Sequence, residues 1–319
     1  MRILVTGGAG FIGSALTHFL FGKNYEVVTL DGLLDSTYSS AIKLDRWLEM
    51  QKILKDVEFV QANLTQELQL NKIPTVDVIV HLAAIPGLDL SWRNLQSYTD
   101  NNIIATKNVI ELANKFNAKL IHISTSSVYG GIADGNENQA CSPISPYGVT
   151  KLAAENLIIA YAKVTNLSFT ILRFFSIYGP GQRPDMGYET FIHSILSGKK
   201  ISIYGDGTSK RSSTYVGDCL EATEMSLLKP AQLGPINIAG KELISVNDVL
   251  SSMASLIERK PKIEFLNRRN GDQSFTSGNT AKAEKHLGWE SRTSFLSGIR
   301  EQIEICKSGD CQKLAFKSF

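Results

Sequence analysis

The stretch Gly7-Gly8-Ala9-Gly10-Phe11-Ile12-Gly13 follows the apolar run Arg2–Thr6 and opens the helix-like Ser14–Phe21. Its glycines therefore fall where a strand turns into a helix. Gly10 has no Cβ, so a pyrophosphate can approach the backbone. Gly13 lets the helix pack near the strand, and the amides at the helix N-terminus favour negative charge. A glycine-rich turn alone is a weak signal. It gains weight from Asp31, 18 residues after Gly13 at the end of a second strand, where a carboxylate accepts ribose hydroxyls and repels a 2′-phosphate. Gly32-Leu33-Leu34 bring no Lys or Arg to such a phosphate, which favours NAD over NADP as cofactor. Asn63, after a third strand, could bond the adenine edge or serve as a loop residue.

Outward from this turn, apolar runs recur at Glu26–Leu30, Val57–Val60, Val76–Val80, Leu120–Ile123 and Phe169–Phe175. Such near-continuous runs are expected of strands covered on both faces. Helix-like stretches, among them Asn102–Phe116 and Pro146–Lys163, lie between them. This alternation predicts an α/β fold, a Rossmann-type doubly wound parallel sheet with ligands beyond the carboxyl ends of its strands. After about Ile177 the texture becomes mixed, which predicts a smaller α/β C-terminal substrate lobe. The expected division is 1–175 with a returning segment near 212–240 for the cofactor domain, and 176–211 with 241–319 for the lobe.

Composition narrows the classes of function. The chain has 319 residues, 43% hydrophobic, and 33 basic against 31 acidic side chains, a net charge of +2. That balance provides no field for nucleic acid or an anionic membrane. No apolar run reaches the roughly 18 residues that span a bilayer, and strand-like residues begin at Arg2, so a cytoplasmic protein is expected. Cys141, Cys219, Cys306 and Cys311 form no CxxC pair, and the five histidines lack metal-ligand spacing; no metal is expected. His122 lies in an apolar run and reads as a packed residue.

Tyr147 and Lys151 stand four apart at the start of a predicted helix, so both project from one face. A lysine near the phenol would lower its pKa from about 10 toward working pH, making Tyr147 a base toward an alcohol and an acid toward a ketone. The spacing alone is a weak signal. Its position after a strand ending in Ser124-Thr125-Ser126-Ser127-Val128-Tyr129-Gly130 is the stronger one, because a hydroxyl there can share the same reacting oxygen.

With these residues in place, the chain resembles the extended short-chain dehydrogenase/reductases, specifically the nucleotide-sugar epimerases and dehydratases. The resemblance covers essentially the whole length. It rests on the glycine turn, His81-Leu82-Ala83-Ala84, Ser124–Gly130, Pro146-Tyr147-Gly148-Val149-Thr150-Lys151, Leu172-Arg173-Phe174-Phe175 with Tyr178-Gly179-Pro180, and Tyr204-Gly205-Asp206-Gly207. It implies tightly held NAD on Gly7, Gly10, Phe11, Ile12, Gly13, Asp31, Asn63, Leu64, Leu82, Ala83, Ala84, Asn102, Tyr147 and Lys151. It also implies a UDP-sugar under the C-terminal lobe, transiently oxidised at C4. Tyr147 would be the acid/base, Lys151 would anchor the nicotinamide ribose, and Thr125 would bond the C4 oxygen. Homodimers through helices 102–116 and 146–163 are a further implication.

Sugar 4,6-dehydratases carry an Asp-Glu pair after the threonine, and the decarboxylases a glutamate before Val-Tyr-Gly. Here Ser126 and Ser127 occupy those places, which leaves 4-epimerisation. Together with Ala84-Ile85-Pro86-Gly87 and Gln182-Arg183-Pro184-Asp185-Met186, the pattern looks most like the UDP-glucuronic acid 4-epimerases. A 4-keto glucuronic acid is a β-keto acid prone to lose carbon dioxide. Ser126, Ser127, Ser176 and Arg183 could pin its carboxylate in an unreactive orientation, although Arg183 could instead pair with Asp185. Pro86 and Gly87 are further substrate candidates, and Arg211, Arg269 and Asp272 would hold the nucleotide phosphates or ribose. Ser212-Ser213 replaces the usual Asp-Phe, Gly181 a common arginine, and Asn270 a common proline. The other readings are a UDP-glucose or UDP-N-acetylglucosamine 4-epimerase, and a catalytically silent NAD-binding regulator.

Overall fold

The computed structural model describes residues 1–229, 233–269 and 271–309; Asn270 and Cys311 lie outside the described residues. Seven strands form the central sheet: β1 (Arg2–Thr6), β2 (Glu26–Asp31), β3 (Glu58–Gln61), β4 (Val78–His81), β5 (Lys119–Thr125), β6 (Phe169–Phe174) and β7 (Leu233–Ile238). Their order is β7-β6-β5-β4-β1-β2-β3, and every neighbouring pair is parallel. The chain thus winds outward from β1 in both directions, and the order reverses between β1 and β4.

The continuous apolar runs are explained by burial on both faces. Successive side chains point to opposite sides of the sheet. Ile3, Val5, Val27 and Val80 pack on one face with residues of α1 (Phe11–Gly22) and the helix Val216–Leu228. Leu4, Val28, Leu30 and Ile79 pack on the other with the helices Ala105–Phe116 and Pro146–Val164. The first of these clusters continues without a break into Ile192, Ile201, Val249, Met253 and Phe295. One core therefore holds the C-terminal elements to the sheet.

Those elements form three small sheets. One has the order Leu243–Ser245, Lys210–Ser212, Phe275–Thr276, Ile132–Ala133; two are strand pairs, Ile177–Tyr178 with Thr214–Tyr215 and Lys200–Tyr204 with Lys262–Leu266. Ile132–Ala133, from between β5 and β6, thereby pairs in parallel with Phe275–Thr276. Among the described residues no helix is long and apolar enough to cross a membrane, and no cluster of three His, Cys, Asp or Glu could hold a metal ion.

The helix Pro146–Val164 is the element that carries Tyr147 and Lys151. Ser145 caps it by accepting from the Gly148 amide at 3.1 Å, and Pro146 stands at its start, where no backbone N–H is needed. It is locked to the sheet by a buried ion pair. Glu155 receives Arg173 Nη2 at 2.6 Å and Nε at 3.0 Å, and the Ser124 hydroxyl donates to the same carboxylate at 2.5 Å. The two charged side chains are 4% and 1% exposed. Glu155→Gln keeps the shape but leaves Arg173 buried without its counter-charge. We expect this change to lower the unfolding free energy by about 3–5 kcal/mol, read as the shift in a urea denaturation midpoint at unchanged m-value.

Candidate active site

A cavity of about 460 Å³ lies over the carboxyl ends of the strands, at the reversal point between β1 and β4. The turn after β1 lines it with Gly7, Gly10, Phe11, Ile12 and Gly13. The ends of β2 and β3 add Asp31, Asn63 and Leu64, and the segment after β4 adds Leu82, Ala83, Ala84, Pro86 and Gly87. Thr125, Tyr147 and Lys151 complete the far end, with Ser176 and Arg183 beyond β6.

The glycines are there for close approach. Gly7 has φ +74, and a Cβ on it would sit 3.0 Å from the Ala83 backbone. A Cβ on Gly13 would collide with the Gly7 carbonyl oxygen. On Gly10 it would touch only that oxygen, at 3.1 Å, and otherwise fill the cavity. This is the cradle a pyrophosphate requires, so the residues present fit NAD.

Asp31 is 8% exposed and already serves the backbone, accepting from the amides of Ala9 at 3.0 Å and Leu33 at 2.8 Å. Burial pushes its carboxyl up, and the Leu33 amide, Lys43 and the Ala9 amide pull it back. Gly32-Leu33-Leu34 bring no cation to this end of the cavity, but a more distant residue does. Lys43, on the helix Ser40–Ile53, returns to line the cavity, with its ammonium on Leu34 O at 2.7 Å and the Ser36 hydroxyl at 3.1 Å.

Tyr147 and Lys151 line the cavity together. The Lys151 ammonium is 2.7 Å from Ile123 O and 3.3 Å from His122 Nε2. Burial pushes its pKa down to about 8, with Glu155 opposing. The phenol of Tyr147 lies above its ordinary value because it is buried, and the groups that pull it down are Thr125, by a hydrogen bond, and Arg183, by its charge. Sequence reading also missed Tyr98, whose hydroxyl holds the carbonyls of Pro86 and Gly87 at 2.8 Å while its ring stands edge-on to Tyr147.

Asn102, Ser126, Ser127, Arg211, Arg269 and Asp272 do not line this cavity. Asn102 is buried and clamps the Ile85 backbone through both its amide atoms, at 2.8 and 3.1 Å, so it supports the loop after β4 from behind. Ser127 accepts from the Thr125 hydroxyl at 3.2 Å, and Ser126 is buried against Gln273. Arg183 sits at the cavity but is held in a bidentate pair with Asp185, at 3.0 and 2.7 Å. Arg211 lines a second cavity of about 240 Å³, which shares Ser176, Ile177 and Met186 with the first. Burial raises the carboxyl of Asp272, while Arg211 and Arg269 lower it. Arg269 itself stacks over Tyr204, 3.5 Å from the ring centre.

A strand-turn-helix phosphate cradle and a Tyr-Lys-Thr constellation at the switch point define a nucleotide-dependent oxidoreductase-type site. Residues 3–239 match the NAD dependent epimerase/dehydratase family. The chain belongs to that family, and NAD is its cofactor. It is 37% identical over 319 residues to a UDP-glucuronate 4-epimerase of Thermodesulfobacterium geofontis, covering 96% of this chain and 98% of that protein. It is 38% identical over 315 residues to YtcB of Bacillus subtilis, an uncharacterized UDP-glucose epimerase, covering 97% and 98%. The UDP-glucuronic acid 4-epimerase of Bacillus cereus, solved with UDP-glucuronic acid and NAD, superposes with a TM-score of 0.89 at 35% identity, covering 97% and 99%.

Two outcomes follow from this geometry. Gly13→Ala forces the cradle open and should weaken NAD binding about tenfold or more, a loss of about 1.4 kcal/mol or above, by calorimetric titration of cofactor-stripped protein. Lys151 releases its proton near pH 8 when folded but near 10.4 when unfolded. The unfolded chain therefore binds more protons between those values, and stability rises with pH across that window. Lys119, lowered to about 8 by burial, contributes in the same direction. Lys151→Met should reduce the rise without abolishing it, as read by urea unfolding at pH 7, 9 and 10.

Proposed function

We propose that this chain inverts C4 of a UDP-sugar through a 4-keto intermediate, with UDP-glucuronic acid and UDP-galacturonic acid as the interconverted pair. The observation that carries the reading is the convergence of Tyr147, Thr125 and Arg183 on one cavity that opens at Ser176 and Met186 toward a second one lined by Arg211. The first lobe, 1–175 with 212–240, would hold the cofactor. The second, 176–211 with 241–319, would hold the nucleotide on Arg211, Arg269 and Asp272.

In this mechanism Tyr147 takes the C4 hydroxyl proton. Its raised pKa is a cost that the Thr125 hydroxyl and the Arg183 charge partly offset. NAD, when bound, would supply the hydride acceptor and donor for C4, and Lys151 and Asp31 would hold its two riboses. After oxidation the keto sugar turns over, presents its other face, and regains the proton from Tyr147. Ser126 and Ser127 are poor bases where a dehydratase needs an acid/base pair, so C5 keeps its proton. Ser176, Ser127 and the Arg183 nitrogen outside the Asp185 pair would hold the carboxylate away from the orientation that expels carbon dioxide.

We further propose a cytoplasmic homodimer through helices 102–116 and 146–163. Ile104 and Val149, 42% and 51% exposed, lie on segments that pack against each other; sedimentation equilibrium should give twice the 35.0 kDa chain mass.

Purified protein incubated with UDP-glucuronic acid, UDP-glucose and UDP-N-acetylglucosamine, without added cofactor, tests the reading by NMR of the products. UDP-galacturonic acid with little pentose is expected. Conversion of the neutral sugars alone would transfer the assignment to the UDP-glucose or UDP-N-acetylglucosamine 4-epimerases, and no conversion at all would leave an NAD-binding regulator. Tyr147→Phe should lower turnover about 10²–10⁴-fold with NAD retained. Arg183→His should weaken the acidic sugar by about tenfold or more while leaving UDP nearly unchanged; equal losses would make it a scaffold residue.

A further inference from the structure

We propose that Gln273 is a positioning residue that holds the hydroxyl-bearing turn Thr125–Ser127 against Tyr147 and ties it to Arg211. Gln273 is 6% exposed and reaches the turn from 147 positions away in sequence. Its Nε2 donates to Ser126 O at 3.2 Å and to Gly130 O at 2.6 Å. Its Oε1 accepts from the Ser126 hydroxyl at 3.5 Å. Both amide hydrogens and the amide oxygen face partners of the right kind, so the amide has one orientation here. The backbone oxygen of the same residue accepts Arg211 Nη2 at 3.0 Å, which joins the turn to the second cavity.

The segment Ser126–Tyr129 is a single 3₁₀ turn, too short and too loosely bonded internally to place itself. Its location is set by what grips it. Gly148 comes so close that a Cβ there would lie 2.7 Å from Ser127 O, the Tyr129 hydroxyl donates to Asn237 Oδ1 at 2.7 Å, and Gln273 grips the carbonyls of Ser126 and Gly130. The Thr125 hydroxyl accepts from Ser127 N at 3.1 Å and bonds Tyr147. Thr125 is the last residue of β5, paired with Phe174, so a shift of this turn moves Ser126 and Ser127 and, through the Ser127 N bond, turns the Thr125 hydroxyl relative to the phenol. The fold does not depend on the amide. Phe275–Thr276 stays paired with Ile132–Ala133, and Ser274 N bonds Gly131 O at 3.0 Å.

The inference rests on the proposed reading of Thr125–Ser127 as sugar-facing hydroxyls. It is tested with Gln273→Met, which keeps the size and loses the bonds, and Gln273→Glu, which sets a carboxylate against two carbonyls. In Gln273→Met we expect kcat to fall about tenfold or more while KM and NAD content stay within about twofold, and the pentose fraction from UDP-glucuronic acid to rise. Gln273→Glu should fall further. A crystal structure of Gln273→Met should show the Thr125 hydroxyl displaced from Tyr147, a readout independent of any substrate. Thr125 unmoved in that structure, unchanged kcat and product ratio, or losses that merely track NAD content and melting temperature would each overturn the proposal. Failure of the wild-type protein to convert any UDP-sugar would instead overturn the functional reading, with the crystallographic comparison still deciding the role of Gln273.

Discussion

The site depends on how closely the chain can pass between β1 and β4 where they part. The Thr6 hydroxyl, at the end of β1, accepts from the amides of Leu82 and Ala83 at 3.2 and 3.1 Å and bonds His81 at 2.9 Å. It binds the two strand ends together just as the backbone turns away at Gly7, where a side chain would strike Ala83. Neither the cradle for the pyrophosphate nor the loop that carries Pro86 and Gly87 could occupy its place if that gap were wider. Parallel strands whose connections leave in opposite directions open a crevice at this point. Here one hydroxyl and two glycines shape it.

Around that crevice the protein accepts local instability for chemistry. Burial of Lys151 lowers its pKa to about 8, an expense of folding at neutral pH that no packing requirement explains. Burial of Tyr147 raises its phenol above the ordinary value. Groups arranged this way are characteristic of functional sites. The opposing stability comes from behind. The Glu155–Arg173–Ser124 cluster fixes the helix that bears both residues, and Asn102 and Tyr98 brace the loop after β4.

Much of this was legible in the sequence where the signal was local. The six apolar runs became six of the seven strands of the central sheet. The glycine turn, Asp31, Tyr147 and Lys151 meet at one cavity because each follows a strand of the same sheet. Other features were invisible. Lys43 returns to a rim whose immediate sequence neighbours carry no cation. The Arg183–Asp185 pair was foreseeable from spacing, but the charge it presents to Tyr147 was not. Ser126 is buried against Gln273, which follows directly on Asp272, a contact that no local spacing signals.

The sequence by itself determined the periodicities, the turn that only glycine can make, and the types of side chain placed after each strand, because these depend on sterics and chemistry within a few residues. Only the tertiary structure decided which group tunes Tyr147, where Lys151 rests, and what grips the Ser126–Tyr129 turn. Those outcomes depend on desolvation and on hydrogen bonds between segments 28 to 147 residues apart, and the longest of these exist only once the one shared core has brought the C-terminal lobe onto the sheet.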